Sequence, residues 1–307
     1  MQESRNKRQI IIFLVLLTGI VAAVALTPGR SRFNVSPDYY RDFNLREVNR
    51  IVMKSAGGEL TLHYDNNRWR INEEFAADRG LVEVLFATLQ QAEPKRPVAT
   101  SMRDSVAGWL KDKGVHVFLF NNESQVGGFF AGGNAAKTQA YFLREGDDQP
   151  HLMVIPGYRV YVSGIFELPA IQWHEKLIFD FNWTNFRKLE TTFRNPAGNF
   201  TVEMARNQAV IAGVAEADTA RLNTFLDDLS LLRASEYLES NPELENLRQS
   251  QPLAEYSITD IGNRIYSLRV FEYGQDFVGV THTGMFAVLP RQQLVPLLRP
   301  KEFFIKR

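Results

Sequence analysis

The tripeptide Asp-Phe-Asn occurs twice in this chain, at Asp42–Asn44 and at Asp180–Asn182, and each copy opens a similar succession of elements. Such self-similarity constrains the architecture more than any single motif, because it means that one supersecondary unit is built twice. After each tripeptide, apolar residues fall at matching offsets: Leu45, Val48 and Ile51 against Trp183, Phe186 and Leu189. GELTLHY, from Gly58, then aligns with GNFTVEM, from Gly198, each a turn glycine followed by the apolar/polar alternation of a half-buried strand. Trp69 and Ile71 correspond to Ala209 and Ile211 in a shorter strand.

AADRGLVEVLFATLQ next matches AEADTARLNTFLDDLS, with Asp78 opposite Asp218. Each aspartate stands where a helix N-cap belongs, its carboxylate placed to accept from the unpaired amides of the first turn. Leu81, Val82, Leu85, Phe86 and Leu89 follow one cap, and Leu222, Phe225, Leu226 and Leu229 the other; both sets trace one face of an amphipathic helix. Strands then return in each half: VHVFLF, QVGGFFAGG, QAYFLR and HLMVIPG in the first, AEYSITD, IYSLRVFEY, DFVGVTH and MFAVLP in the second. A short helix is expected after Ser101, started by the capping-box-like SMRD and stopped at Gly114, with NPELENLRQS as its counterpart in the second half. The fold class is therefore α+β: two tandem repeats, each an antiparallel sheet packed with an amphipathic helix.

The N-terminus adds a different element. Arg5, Lys7 and Arg8 precede an uncharged apolar run from Ile10 to Leu26, and Pro28 and Gly29 end it. At about 1.5 Å per residue that run spans roughly 25 Å, enough with Thr27 and snorkelling arginines to cross a bilayer as a helix. Ala23-Val24-Ala25 also offers a small-x-small cleavage site, so a removable signal is the alternative; the length of the run favours the anchor. The basic start places residues 1–9 in the cytoplasm and the body on the extracytoplasmic, periplasmic side of the inner membrane. The expected layout is a cytoplasmic tail (1–9), a transmembrane helix (10–27), a linker (28–41), a first repeat (42–168) and a second repeat (169–307), with the strand rhythm broken at Pro169.

Composition excludes several functions. Lys plus Arg equals Asp plus Glu at 35 each, so the chain has no global basic footprint for nucleic acid. The absence of cysteine removes disulfides, thiolate metal sites and a cysteine nucleophile. His63, His116, His151, His174 and His282 show no metal-ligand spacing, and GxSxG is missing. GGFFAGG lacks the lysine of a phosphate loop and reads as a glycine-rich turn or bulge between strands. The acidic pairs Glu73 with Glu74, Asp147 with Asp148 and Asp227 with Asp228 are adjacent in sequence and so point apart. No catalytic, cofactor-binding or metal-ligating residue is expected, and no enzyme. The most distinctive cluster is Trp173, Phe179, Phe181, Trp183 and Phe186. It can be an interaction patch or the seam between the repeats, and the tendency of clustered aromatics to fill cores favours the seam.

The body resembles the family named domain of unknown function 4340. The residues that carry the resemblance are VNRIVM, the hairpin end RWRI (Arg68 to Ile71), the acidic-capped ADRGLVEVLFATL, GGFFAGG and the link WHEKLIFDFNW. The chain departs from the family pattern at KDKGVHVFLF, where a "GL.P" element is usual. The resemblance implies an N-terminal membrane anchor and companionship with ABC-transporter or gliding-motility-type systems of the bacterial envelope, and no catalytic residues. The expected function is accordingly a non-catalytic accessory or scaffold component with an integral-membrane protein partner. The alternative is an extracytoplasmic binding module for a lipid, glycan or peptide, with the space between the repeats as its pocket.

Overall fold

In the computed structural model, residues 35–206 and 208–306 are described. The apolar run expected to anchor the chain lies outside them, and among the described residues no helix is long and apolar enough to cross a membrane. The body is two antiparallel sheets with a few helices, an α+β architecture.

The first sheet contains β1 (Arg50–Ser55), β2 (Gly58–Asp65), β3 (Arg68–Ile71), β4 (Phe75–Ala76), β5 (Glu93–Pro97), β6 (Val115–Asn121), β7 (Ser124–Gly133), β8 (Ala140–Arg144) and β9 (His151–Val154). Their spatial order is β4-β3-β2-β1-β6-β7-β8-β9-β5. The second contains β10 (Phe186–Phe193), β11 (Phe200–Ala205), β12 (Gln208–Ile211), β13 (Glu236–Leu238), β14 (Ala254–Asp260), β15 (Ile265–Tyr273), β16 (Asp276–Thr281) and β17 (Phe286–Leu289), in the order β12-β11-β10-β14-β15-β16-β17-β13. The two orders coincide once β4 is set aside.

Helix α1 (Arg79–Gln91) starts at Asp78, whose Oδ1 accepts from the Leu81 amide at 2.9 Å. Helix α2 spans Thr100–Lys113, and α3 (Thr219–Ser230) repeats the cap of α1 at Asp218, which accepts from Arg221 at 3.1 Å. Val82, Leu85 and Leu89 of α1 pack on Ile51, Leu62, Val117 and Phe129 of the first sheet, forming one core. Leu222, Phe225, Leu226 and Leu229 of α3 pack on Leu189, Val202, Tyr256 and Leu268, forming the other. Each fully buried leucine contributes roughly 2 kcal/mol, so these two faces hold the repeats together.

A smaller cluster lies on the opposite face of each sheet. Because side chains alternate across a strand, Phe142 enters the main core while Leu143 meets Ala107 and Leu110 of α2. In the second repeat, Val270 faces the main core, and Phe271 meets Leu244 of α4 (Pro242–Gln249). A last short helix, α5 (Arg291–Leu294), leads to Phe304, which is buried in the second core.

Two local expectations are corrected. The second helix begins two residues early: Ser101 is inside α2, and the N-cap is Ala99 with no side-chain cap bond. The chain stays extended up to that point because the Val98 amide is tied to the Pro150 carbonyl at 2.9 Å. GGFFAGG forms the last seven residues of β7 and not a turn between strands. The bulge half of the expectation is met at its start, where the register with β6 shifts between Leu119 opposite Gly127 and Phe120 opposite Gln125. A Cβ on Gly132 would stand 2.5 Å from the Trp109 ring, so glycine there lets the helix side chain lie flat on the strand. Tyr40, within the expected linker, is buried in the first core, where its hydroxyl donates to the Phe142 carbonyl at 2.8 Å.

Candidate functional site

The segment joining the repeats is hydrogen-bonded to both. His174 bridges to Ala77, and the Glu175 amide donates to the Ala76 carbonyl at 2.9 Å, extending the first sheet's edge. Leu177 then bridges to Arg233, the Ile178 amide donates to Leu232 at 3.0 Å and the Ala234 amide to Lys176 at 2.8 Å. The Tyr237 hydroxyl donates to the Glu175 carbonyl at 2.7 Å. Arg233 reaches Glu175 at 3.0 Å and the capping Asp78 at 3.7 Å, which links the second repeat to the start of α1. These bonds leave the backbone groups along this joint paired.

Above the joint the repeats diverge and enclose a cleft of about 1030 Å³. One wall belongs to the first repeat, where Tyr64, Trp69 and Phe86 form a continuous aromatic run with ring centroids 5.5 and 5.3 Å apart. Tyr64 is 42% exposed, so this run opens to solvent. The other wall carries Tyr266 edge-on to His282 at 5.2 Å, and the floor is Phe75, His174 and Tyr237 in sequence at 5.0 and 6.0 Å. Arg68 of β3 pairs with Asp180 of the joining segment at 3.0 Å across the cleft.

The electrostatics are nearly balanced. Among the lining arginines, Arg68 is held by Asp180, Arg79 by Glu83 at 2.8 Å and Arg264 by Asp260 at 2.7 Å. Burial pushes the imidazoles of His174 and His282 below the usual histidine range, against the upward pull of Glu74 on His174. Both are therefore neutral at pH 7. The His174 Nδ1 is buried without a hydrogen-bond partner, whereas the Thr281 and Thr283 hydroxyls pair at 2.8 Å. Neither His174 nor His282 is hydrogen-bonded to a hydroxyl or carboxylate, and among the described residues no three His, Asp or Glu side chains gather into a metal-ligand set. What this arrangement offers is flat apolar faces beside paired polar groups.

The five clustered aromatics of the sequence are dispersed. Trp173 is buried in the first core, and Phe179, Phe181 and Phe186 are buried in the second. Trp183 is 43% exposed and donates from Nε1 to Asp227 at 2.7 Å. Only their neighbours His174, Glu175, Leu177, Ile178 and Asp180 line the cleft. Its aromatic wall had one trace in the sequence: where the repeats align, Tyr64 and Trp69 stand opposite Met204 and Ala209, a difference the shared fold does not require.

Together these features define a two-repeat α+β protein with an open cleft between its repeats. The chain belongs to the family described as a domain of unknown function (DUF4340), which it matches over residues 69–252, across the cleft and both helix caps. No curated protein and no solved structure matches it.

Proposed function

We propose that the protein is a non-catalytic, membrane-tethered binding module of the extracytoplasmic side, with its ligand held in the cleft between the repeats. The observation that carries the reading is that the two cores close separately and leave an aromatic-lined opening of about 1030 Å³ between them. Concave, mostly apolar sites with a few polar groups are where small ligands are captured.

An accessory role in a transporter complex, exercised by adding a partner strand, has less support. Of the four edge strands, β5 carries Pro94 and Pro97, β4 is covered by the joining segment, and β12 and β13 are four and three residues long. Short or proline-bearing edges are the devices that prevent strand addition.

The test uses intrinsic fluorescence. In a W109F/W183F background only Trp69 in the cleft and the buried Trp173 emit, so a cleft ligand changes the signal of Trp69. A panel of oligosaccharides, lipids and short peptides should contain at least one class that shifts this emission saturably. If no class does so while the protein remains folded by circular dichroism, the binding-module reading is wrong.

A further inference from the structure

Resting on that reading, we infer that the ligand class is a neutral oligosaccharide, with sugar faces stacked on Tyr64 and Trp69 and hydroxyls bonded by the polar groups between the walls. Three features of the cleft weigh against the competing chemistries.

The first is charge. An anionic ligand, such as a phosphate headgroup, a nucleotide or an acidic sugar, needs a cation that is free to meet it. Each arginine lining the cleft already has a carboxylate partner at 2.7–3.0 Å, and the wall residue Glu74 adds negative charge. These arginines are exposed and their pairs individually weak, so displacement is not required, but an anion drawn to one of them would lie beside Asp180, Glu83 or Asp260 and gain little net attraction.

The second is backbone. An extended peptide is bound chiefly through the main-chain groups of a free strand edge. The edge facing this cleft, at Ala76 and Ala77, is consumed by His174 and Glu175, and the segment from Leu232 to Ala234 is consumed by Lys176 to Ile178. No strand edge remains at the joint for a peptide to extend.

The third is the alternation of polar and apolar lining. A lipid tail is favoured by continuous hydrocarbon, whereas here Arg68, Asp180, Arg264, Glu175 and the Thr281–Thr283 hydroxyl pair interrupt the aromatic faces. Burying these groups under an acyl chain without new hydrogen bonds would be costly. A sugar ring has the complementary pattern: a patch of C–H groups on one face, for an aromatic ring, and a rim of hydroxyls. Arg68 uses one N–H toward Asp180 and keeps others for adjacent hydroxyls, and Asp180 retains acceptor sites. A volume of about 1030 Å³ lies at the upper end of the usual range for small-molecule pockets, which suits several linked rings better than one.

The experiment titrates the full-length chain in detergent with N-acetylglucosamine tetramer, maltotetraose and cellotetraose. Oligogalacturonate, a fluorescent fatty acid and a mixed tetrapeptide library serve as comparison arms, all read by Trp69 emission in the W109F/W183F background and by calorimetry. At least one neutral tetrasaccharide should bind, more tightly than its monosaccharide and with little dependence on salt. Tyr64→Ala, at an exposed position that spares the fold, should weaken that binding about fivefold to tenfold. Tyr266→Ala on the opposite wall should do the same in protein shown to be folded by circular dichroism, since Tyr266 is also part of the second core. If the neutral sugars leave Trp69 unchanged while the lipid, peptide or acidic sugar shifts it, the oligosaccharide inference falls and the binding-module reading stands. If no arm shifts it, both fall. Binding of a neutral sugar that is indifferent to both tyrosine variants would place the sugar elsewhere and overturn the inference.

Discussion

The backbone amide of Asp78 donates to the carbonyl of Trp173 at 2.7 Å, and the second repeat makes the same bond between Asp218 and Phe304, also at 2.7 Å. The adjoining contacts are duplicated as well. Ala77 bridges to His174 as Ala217 bridges to Ile305, and Glu175 donates to Ala76 as Lys306 donates to Glu216. In each repeat the last segment returns to clamp the residue that caps the helix of the main core. The capping aspartates thus join helix, sheet edge and chain end through one residue.

This double duty sets the cost of removing the caps. Asp218→Ala should destabilise the protein by about 1 kcal/mol, the usual worth of an N-cap side chain. Asp78→Ala should cost more, about 2 kcal/mol, because its carboxylate is largely buried and also faces Arg233. Asp78→Asn, which keeps the cap acceptor, should recover most of the loss. Urea denaturation of the three variants measures all of these values.

Trp173 and Phe304 occupy equivalent positions, yet the indole Nε1 of Trp173 is buried without a partner. The second repeat shows that the position functions with a ring that has no N–H. Trp173→Phe should therefore cost under about 1.5 kcal/mol, since the lost packing is offset by removal of an unsatisfied donor. Trp173→Ala should cost about 3–5 kcal/mol through the cavity it leaves. Equal losses in the two variants would mean that the indole N–H contributes in a way the geometry does not reveal.

Burial lowers the pKa of His116, His151, His174 and His282, with Glu145, Asp147 and Glu74 opposing the effect at the first three and Lys54 reinforcing it at His116. The folded protein keeps these imidazoles neutral where the unfolded chain, with histidines near about 6.5, takes up protons. The unfolded state then binds more protons, so the stability these groups contribute is full above about pH 6.5 and declines as pH falls toward their lowered folded values. The urea midpoint should be lower at pH 5.5 than at pH 7.5. His151→Gln, at the site where Tyr40 meets the Nδ1 atom at 2.9 Å, should flatten that slope.

Arg68 and Asp180 form the ion pair across the cleft, but their side chains are 68% and 47% exposed. An exposed pair of this kind contributes little, so a double-mutant cycle of Arg68→Ala and Asp180→Asn should return a coupling below about 0.5 kcal/mol. A larger coupling would mean that the pair holds the two repeats in their relative position.

Much of the local structure was legible in the residues alone. The caps at Asp78 and Asp218, the amphipathic faces behind them and the alternating strands are encoded within a few residues, because cap chemistry and side-chain periodicity act at that range. Alignment of the two copies sets Tyr64 and Trp69 opposite Met204 and Ala209, but as strand positions only, and the sequence did not single them out as a site. Tertiary structure decided the rest. Trp173 and Trp183 stand close together in the sequence, yet one is sealed in the first core and the other lies at the surface against Asp227. Ser101 has the chemistry of a cap, but the bond between Val98 and Pro150 sets where its helix begins. The cleft itself arises because the joining segment spends its backbone groups on both repeats at once, from His174 to Ile178. Which backbone groups become partners across such distances depends on how the completed sheets pack, and no local pattern carries that information.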